Sequence, residues 1–150
     1  MSMFCYQCQE TAKGTGCEVR GVCGKDEQVA KLQDLLMYTL KGVSLILVKE
    51  KPDLKEMQHL NHEVLKSLFM TITNANFDSS AFDAEIKKIL TLRDKLKETT
   101  GTTLAHDAVN FNVESIEDMV DKAATVGVLA TENEDVRSLR EMITYGLKGM

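Results

Sequence analysis

The sequence predicts an all-α protein with a cysteine-rich amino-terminal loop, a three-helix antiparallel bundle and the start of a second bundle. Three observations support this prediction. All four cysteines and four of the nine glycines fall in the first 25 residues, where helical periodicity is weak. Apolar residues then recur at spacings of three and four, as on the buried face of a helix. No segment shows the alternation of apolar and polar residues that is typical of a half-buried strand.

The apolar spacing places five helices along the chain. Pro52 and Asp53 form a favourable start for the second helix. Ser79 or Ser80 can cap the third helix, because a serine hydroxyl accepts a hydrogen bond from a free amide of the first turn. The predicted helices cover about 26–48, from 52–53 to a turn at 73–78, from 79–80 to a break at 99–103, about 113–124, and about 133 to the end.

The first three predicted helices are amphipathic and similar in length, which is typical of an antiparallel bundle. Each has an apolar stripe that we expect to face a shared core. The residues in these stripes are Leu32, Leu35, Leu36, Leu40, Val43 and Leu47 on the first helix, Leu54, Met57, Val64, Leu65, Leu68, Phe69 and Ile72 on the second, and Phe82, Ile86, Ile89, Leu90 and Leu96 on the third.

An internal repeat relates the first predicted helix to the last. Residues 26–42 return without a gap as residues 133–149, and seven of these 17 positions are identical. Either two helices share common helix-forming residues, or a bundle is duplicated and its second copy starts near residue 131. We expect the duplication, and with it a chain truncated inside the second copy. The predicted organisation is a cysteine-rich loop at 1–25, a three-helix bundle at 26–110, and a connecting helix with the first helix of the second bundle at 111–150.

Composition excludes several classes of function. The formal net charge is -5 at pH 7, and Lys and Arg form no cluster of the kind that binds nucleic-acid phosphates. No apolar run approaches the length of a membrane span, and the first residues lack the pattern of a secretory signal. We therefore expect a cytoplasmic protein that binds neither nucleic acid nor membrane.

The four cysteines form the candidate site. Cys5, Cys8, Cys17 and Cys23 are separated by two, eight and five residues, and no cysteine follows them. Such clustering suits a [4Fe–4S] cluster, which takes four thiolates from a loop that surrounds it. Structural zinc is the alternative, although its four-cysteine sites usually have two short cysteine pairs. Disulfides are disfavoured in a cytosolic chain.

Three basic residues of the same loop are candidate donors to an anionic cluster. Lys13, Arg20 and Lys25 lie among the cysteines, and our hypothesis is that they raise its reduction potential. The alternative is that they are solvated charges balanced by Glu10 and Glu18.

Several segments carry a family resemblance. MFCYQCQETA at 3–12 and GCEVRGVCGK at 16–25 closely resemble the start of hybrid cluster proteins, the hydroxylamine reductase or prismane family. The resemblance continues through LQDLLMYTLKG at 32–42, TITNANF at 71–77 and the repeated segment at 133–149. It therefore extends over nearly the whole chain.

The resemblance implies a cytoplasmic, oxygen-sensitive oxidoreductase with two metal centres. In the form of the family with this spacing, Cys5, Cys8, Cys17 and Cys23 are the ligands of a [4Fe–4S] cubane. The second centre is a hybrid iron–sulfur–oxygen cluster that reduces hydroxylamine to ammonia and, in some members, reduces nitric oxide. Its ligands come from later domains, so we expect no hybrid cluster in this chain.

The chain is therefore expected to relay electrons from a donor protein and to be inactive by itself. Its further partners would be the missing carboxy-terminal domains, whose absence is expected to favour self-association. A different class of function stays open at this point: a standalone cysteine-rich helical binding module with structural zinc.

Overall fold

The computed structural model describes residues 2–150, and of Leu54 and Glu56 only the backbone. Within this part of the chain all regular elements are helical, which confirms the predicted all-α class. Two short 3₁₀ turns, at Ala12–Gly14 and Val128–Ala130, accompany the α-helices. The α-helices of the described residues are α1 (Glu27–Glu50), α2 (Leu54–Met70), α3 (Ser79–Thr100), α4 (Asp107–Asn110), α5 (Ile116–Val126) and α6 (Glu134–Lys148). None of the helices is long and apolar enough to cross a membrane, as far as the described residues show.

Helix α1 lies at the centre and contacts α2, α3, α4 and α5. All six of its predicted core residues, from Leu32 to Leu47, are buried. Burial of one leucine side chain contributes about 1.5–3 kcal/mol, so this stripe is a main source of stability. The connections at 51–53 and 71–78 are short, as expected between antiparallel neighbours.

Helix α3 confirms its predicted core face and begins at Ser79, but its capping residue is not one of the two predicted. Its five predicted core residues are all buried. The cap is Asp78, whose carboxylate accepts a hydrogen bond of 2.9 Å from the Ser80 amide, and neither Ser79 nor Ser80 caps the helix. Aspartate and serine cap helices about equally well, so the local sequence did not decide between neighbouring positions.

Helix α2 corrects part of the predicted core. Leu65 and Phe69 are 48% and 67% exposed, so the prediction that they face inward is wrong. Leu60 and Ser67 are buried instead, and the Ser67 hydroxyl donates a 2.7 Å hydrogen bond to Glu85 of α3. Apolar residues occur on two faces of this helix, and spacing alone did not show which face packs. The predicted inward position of the Leu54 side chain falls outside the described residues.

A very close contact joins α1 to α4, in a segment where no helix was predicted. A Cβ atom added to Gly42 would lie 2.1 Å from the carbonyl oxygen of Ala108. The buried Arg93 donates a 3.3 Å hydrogen bond to the same oxygen, forms an ion pair with Asp94 and lies 5.1 Å over the Phe111 ring. Glycine is therefore required for α4 to reach the core.

Helix α5 begins three residues later than predicted because a capping box sets its start. The Ser115 hydroxyl accepts from the Asp118 amide, and the Asp118 carboxylate accepts from the Ser115 amide, both at 3.0 Å. Met119 and Ala123 of this helix are buried against the core.

Helix α6 matches α1 in its local structure. Asp26 accepts a hydrogen bond of 2.8 Å from the Val29 amide, and Asn133 accepts one of 3.0 Å from the Val136 amide, at equivalent positions of the repeat. None of the residues of α6 is fully buried, however. Its exposed apolar face consists of Val136, Leu139, Met142, Ile143 and Leu147. The division into domains, including a duplicated bundle, stays a prediction.

Candidate metal centre

The amino-terminal loop is held together by a backbone pair between two of its cysteines. Cys5 and Cys17 exchange two hydrogen bonds, of 3.0 and 2.8 Å, as in an antiparallel bridge. The Thr11 hydroxyl donates a further 3.0 Å hydrogen bond to the Cys5 carbonyl oxygen. The first and third cysteines are therefore fixed opposite one another, although 11 residues lie between them.

Cys17 is the most buried of the four cysteines, being 5% exposed. Its Sγ accepts a hydrogen bond from the Ala12 amide at 3.4 Å and lies 3.7 Å from the Thr11 hydroxyl oxygen. The pKa of the Cys17 thiol is lowered, mainly by the Ala12 amide, with smaller contributions from the Val22 amide and Thr11 that act against the effect of burial. Donors of this kind favour the thiolate, which is the form that binds metal.

Cys5 has a different partner. The ammonium Nζ of Lys25 lies 3.7 Å from Cys5 Sγ and 2.7 Å from Gln33 Oε1 of α1. Lys25 is buried, whereas Lys13 and Arg20 are exposed. The three basic residues are equivalent in the sequence but differ in burial. Of the three, Lys25 is the one that contacts a sulfur atom in the described residues.

Cys8 and Cys23 lie nearer the surface. Cys8 is partly exposed, Cys23 is exposed, and all four cysteines are free thiols. A Cβ atom on Gly21 would lie 3.1 Å from Cys23 Sγ, so this glycine makes room for the sulfur. In the described part of the chain, no three His, Cys, Asp or Glu side chains converge at metal-binding distance.

The donor set nevertheless has the chemistry that an iron–sulfur cluster needs. Four thiols lie within one loop, and the sulfurs of Cys5 and Cys17 already receive hydrogen bonds from ammonium and amide groups. The assignment of all four cysteines as ligands stays a prediction.

The histidines take no part in this site. His59 and His62 are exposed on α2. His106 caps α4, its Nδ1 accepting a 3.0 Å hydrogen bond from the Ala108 amide.

A small polar pocket beside Cys5 was not found by sequence reasoning. Cys5, Tyr6, Gln33 and Asp34 line it, and the buried Tyr6 Oη and Gln33 Nε2 have no hydrogen-bond partner among the described residues. Burial raises the pKa of Asp34 to about 7, although the Val128 amide donates a 3.2 Å hydrogen bond to its carboxylate. The sequence feature that could have indicated this pocket is the polar pair Gln33 and Asp34, which lies between the apolar core residues of α1.

Helix α6 also lies beside the loop. Tyr145 Oη lies 3.1 Å from the Thr73 hydroxyl, which in turn hydrogen-bonds Gln7 between Cys5 and Cys8. The pKa of Tyr145 is raised, first by burial. The repeated helix therefore contributes to the surroundings of the cysteines.

Comparison with known proteins identifies relatives of the chain over its whole length. It is 61% identical over 150 residues to a protein of Acetivibrio thermocellus named hydroxylamine reductase. It is 52% identical over 156 residues to a hydroxylamine reductase of Desulfitobacterium hafniense and 50% identical over 153 residues to one of Parabacteroides distasonis. These alignments include 99–100% of this chain, which spans 28% of the length of each of these curated relatives.

The family assignment follows from a second match. Residues 3–150 match the Prismane/CO dehydrogenase family. The match includes the cysteine loop and both copies of the repeat, in agreement with the resemblance that the sequence motifs predicted. The chain belongs to the Prismane/CO dehydrogenase family.

Proposed function

We propose that this chain is the amino-terminal, electron-relay portion of a hydroxylamine reductase, and that Cys5, Cys8, Cys17 and Cys23 hold a [4Fe–4S] cluster. The observation that carries the proposal is the gathering of all four cysteines into one loop of a chain that belongs to this family. When bound, such a cluster accepts and donates one electron at a time.

The surroundings of the sulfurs support this role. Cys17 is buried and receives an amide hydrogen bond, which offsets negative charge on sulfur without admitting water. The Cys5–Cys17 backbone pair holds two ligands in place before any metal binds, so less order must be gained on binding. Both features favour an electron-transfer centre, whose loop should change little between redox states.

The proposed activity of the full-length protein is the reduction of hydroxylamine to ammonia at a second, hybrid cluster. All cysteines of this chain belong to the proposed relay site, so we place the hybrid cluster in the polypeptide beyond it. The proposed partners are an electron-donor protein and the later, carboxy-terminal domains of the full-length protein. The proposed location is the cytoplasm. We infer that the later domains cover the apolar face of α6, and that the isolated chain self-associates through it.

Metal and sulfide analysis of anaerobically purified chain tests the proposal. About four irons and four sulfides per chain, with visible absorption that dithionite bleaches, are expected. Zinc without sulfide and without colour would refute the relay and support a structural zinc module instead.

A pair of loop variants tests the ligands. Cys23→Ser is expected to lose most of the iron and the colour while keeping its helical circular dichroism, because the side chain is exposed and makes no core contact. Val22→Ser is the matched control, since the neighbouring Val22 side chain is 63% exposed and is expected to leave the iron content unchanged. Full iron content in Cys23→Ser would exclude Cys23 as a ligand.

A further inference from the structure

Lys25 is buried, and none of the described carboxylates is its partner. It is 1% exposed, which is rare for lysine unless the ammonium is paired with an anion. No Asp or Glu of the described residues forms an ion pair with it. The two acceptors of its ammonium are the neutral Gln33 amide oxygen and Cys5 Sγ. Of these two acceptors Cys5 Sγ is the one that becomes an anion, as a thiolate, whereas the nearby Asp34 carboxyl forms no ion pair with Lys25 among the described residues.

The backbone and α1 together fix the position of the ammonium. The Gly21 amide donates a 2.7 Å hydrogen bond to the Lys25 carbonyl oxygen, which closes a tight turn, and Gly24 in this turn has a φ of +97°. From the end of the turn the lysine side chain enters the protein and meets Gln33, whose Oε1 accepts at 2.7 Å. Gln33 is itself buried on α1 and does not belong to the loop.

We propose that Lys25 stabilises the reduced state of the proposed cluster through Cys5, and that Gln33 is the positioning residue for its ammonium. This inference rests on the proposed function. Reduction adds one electron to a cluster that is already anionic, so a cation beside one ligand stabilises the reduced form more than the oxidised form. In a poorly solvated site this interaction is strong, whereas water and salt screen the exposed charges of Lys13 and Arg20.

The test is a spectroelectrochemical titration of the chain reconstituted with iron and sulfide, which gives the midpoint potential of each variant. Lys25→Gln is expected to shift the potential to lower values, beyond the scatter among repeat titrations. Lys25→Arg keeps the charge and is expected to stay much nearer the wild type. Arg20→Gln is the matched control: it removes one positive charge from the same loop at an exposed position and is expected to leave the potential unchanged.

Gln33→Met provides a second, independent variant in case Lys25→Gln fails to fold or to retain the cluster. It leaves the ammonium in place but removes its acceptor, so a smaller shift in the same direction is expected. An unchanged potential in either Lys25→Gln or Gln33→Met, or an equal shift in Arg20→Gln, would overturn the inference while leaving the proposed relay intact. Failure of the wild-type chain to take up iron and sulfide would overturn both.

Discussion

Substitution of Gly42 by alanine probes the contact that joins α1 to α4. The added Cβ would lie 2.1 Å from the Ala108 carbonyl oxygen and 2.8 Å from its carbonyl carbon, and both are backbone atoms that no rotamer change can move. The two helices would have to separate, which would also weaken the hydrogen bond from Arg93 to the same oxygen. Overpacking of this kind costs about 1–3 kcal/mol or more, and alanine recovers about 1 kcal/mol through its higher helix propensity. We expect a net loss of about 2 kcal/mol.

The assay is urea unfolding followed by circular dichroism, with Gly146→Ala as the matched control. A Cβ on Gly146, in α6, would meet no atom within 4 Å, so this variant gains helix propensity without a clash. Its midpoint is expected to stay or rise slightly, whereas that of Gly42→Ala falls. For a chain of this size, 2 kcal/mol corresponds to a melting temperature lower by about 4–8 °C. Equal stability of Gly42→Ala and wild type would show that α4 does not pack on α1 as described.

Two further predictions concern pH and helix caps. Asp34 has a pKa raised from 3.8 to about 7, so the folded state holds its proton more tightly than the unfolded state. Stability should therefore fall as pH rises from about 4 to about 7, by at most about 4 kcal/mol from this group. Asp34→Asn is expected to remove that fall. Urea unfolding at pH 5 and pH 8 is the measurement, and an equal loss of unfolding free energy in wild type and variant between these two pH values would contradict the prediction. Asp26→Ala removes the α1 cap and should cost about 1 kcal/mol in global unfolding. Asn133→Ala removes the equivalent cap from α6, so the predicted effect is local fraying, seen as faster amide exchange in that helix with a smaller global change.

The core faces of α1 and α3 were predictable because a single continuous stripe of apolar residues leaves one way to pack each helix. Helix α2 shows where this reasoning stops. Leu65 and Phe69 continue the apolar spacing but are exposed, whereas Ser67 is buried. The buried serine satisfies its hydroxyl through Glu85 of α3, a contact that depends on how two separate helices meet. Periodicity describes one helix and contains no information about such pairs.

The candidate site divides in the same way. The cysteines were found from spacing, because ligand type and local clustering are properties of the sequence. The proposed role of Lys25 could not be singled out from the sequence, since Lys13 and Arg20 have the same charge and lie in the same loop. Its burial depends on a turn at one end and on Gln33, eight positions further along the chain, at the other. The interaction between a charge and a nearby site is stronger where the surrounding protein keeps water away, and the sequence does not show which charge is buried.

The repeat shows how far local sequence determines local structure. Asp26 and Asn133 make the same capping bond, so the two copies agree in where the helix begins. Their equivalent tyrosines differ in partner: Tyr38 donates a 2.6 Å hydrogen bond to Asp107 of α4, whereas Tyr145 lies against Thr73 beside the cysteine loop. A capping hydrogen bond depends only on residues close in sequence. The hydrogen-bond partner of a tyrosine hydroxyl depends on the tertiary structure. Similar helices can therefore form the centre of the core in one copy and lie beside the cysteine loop in the other.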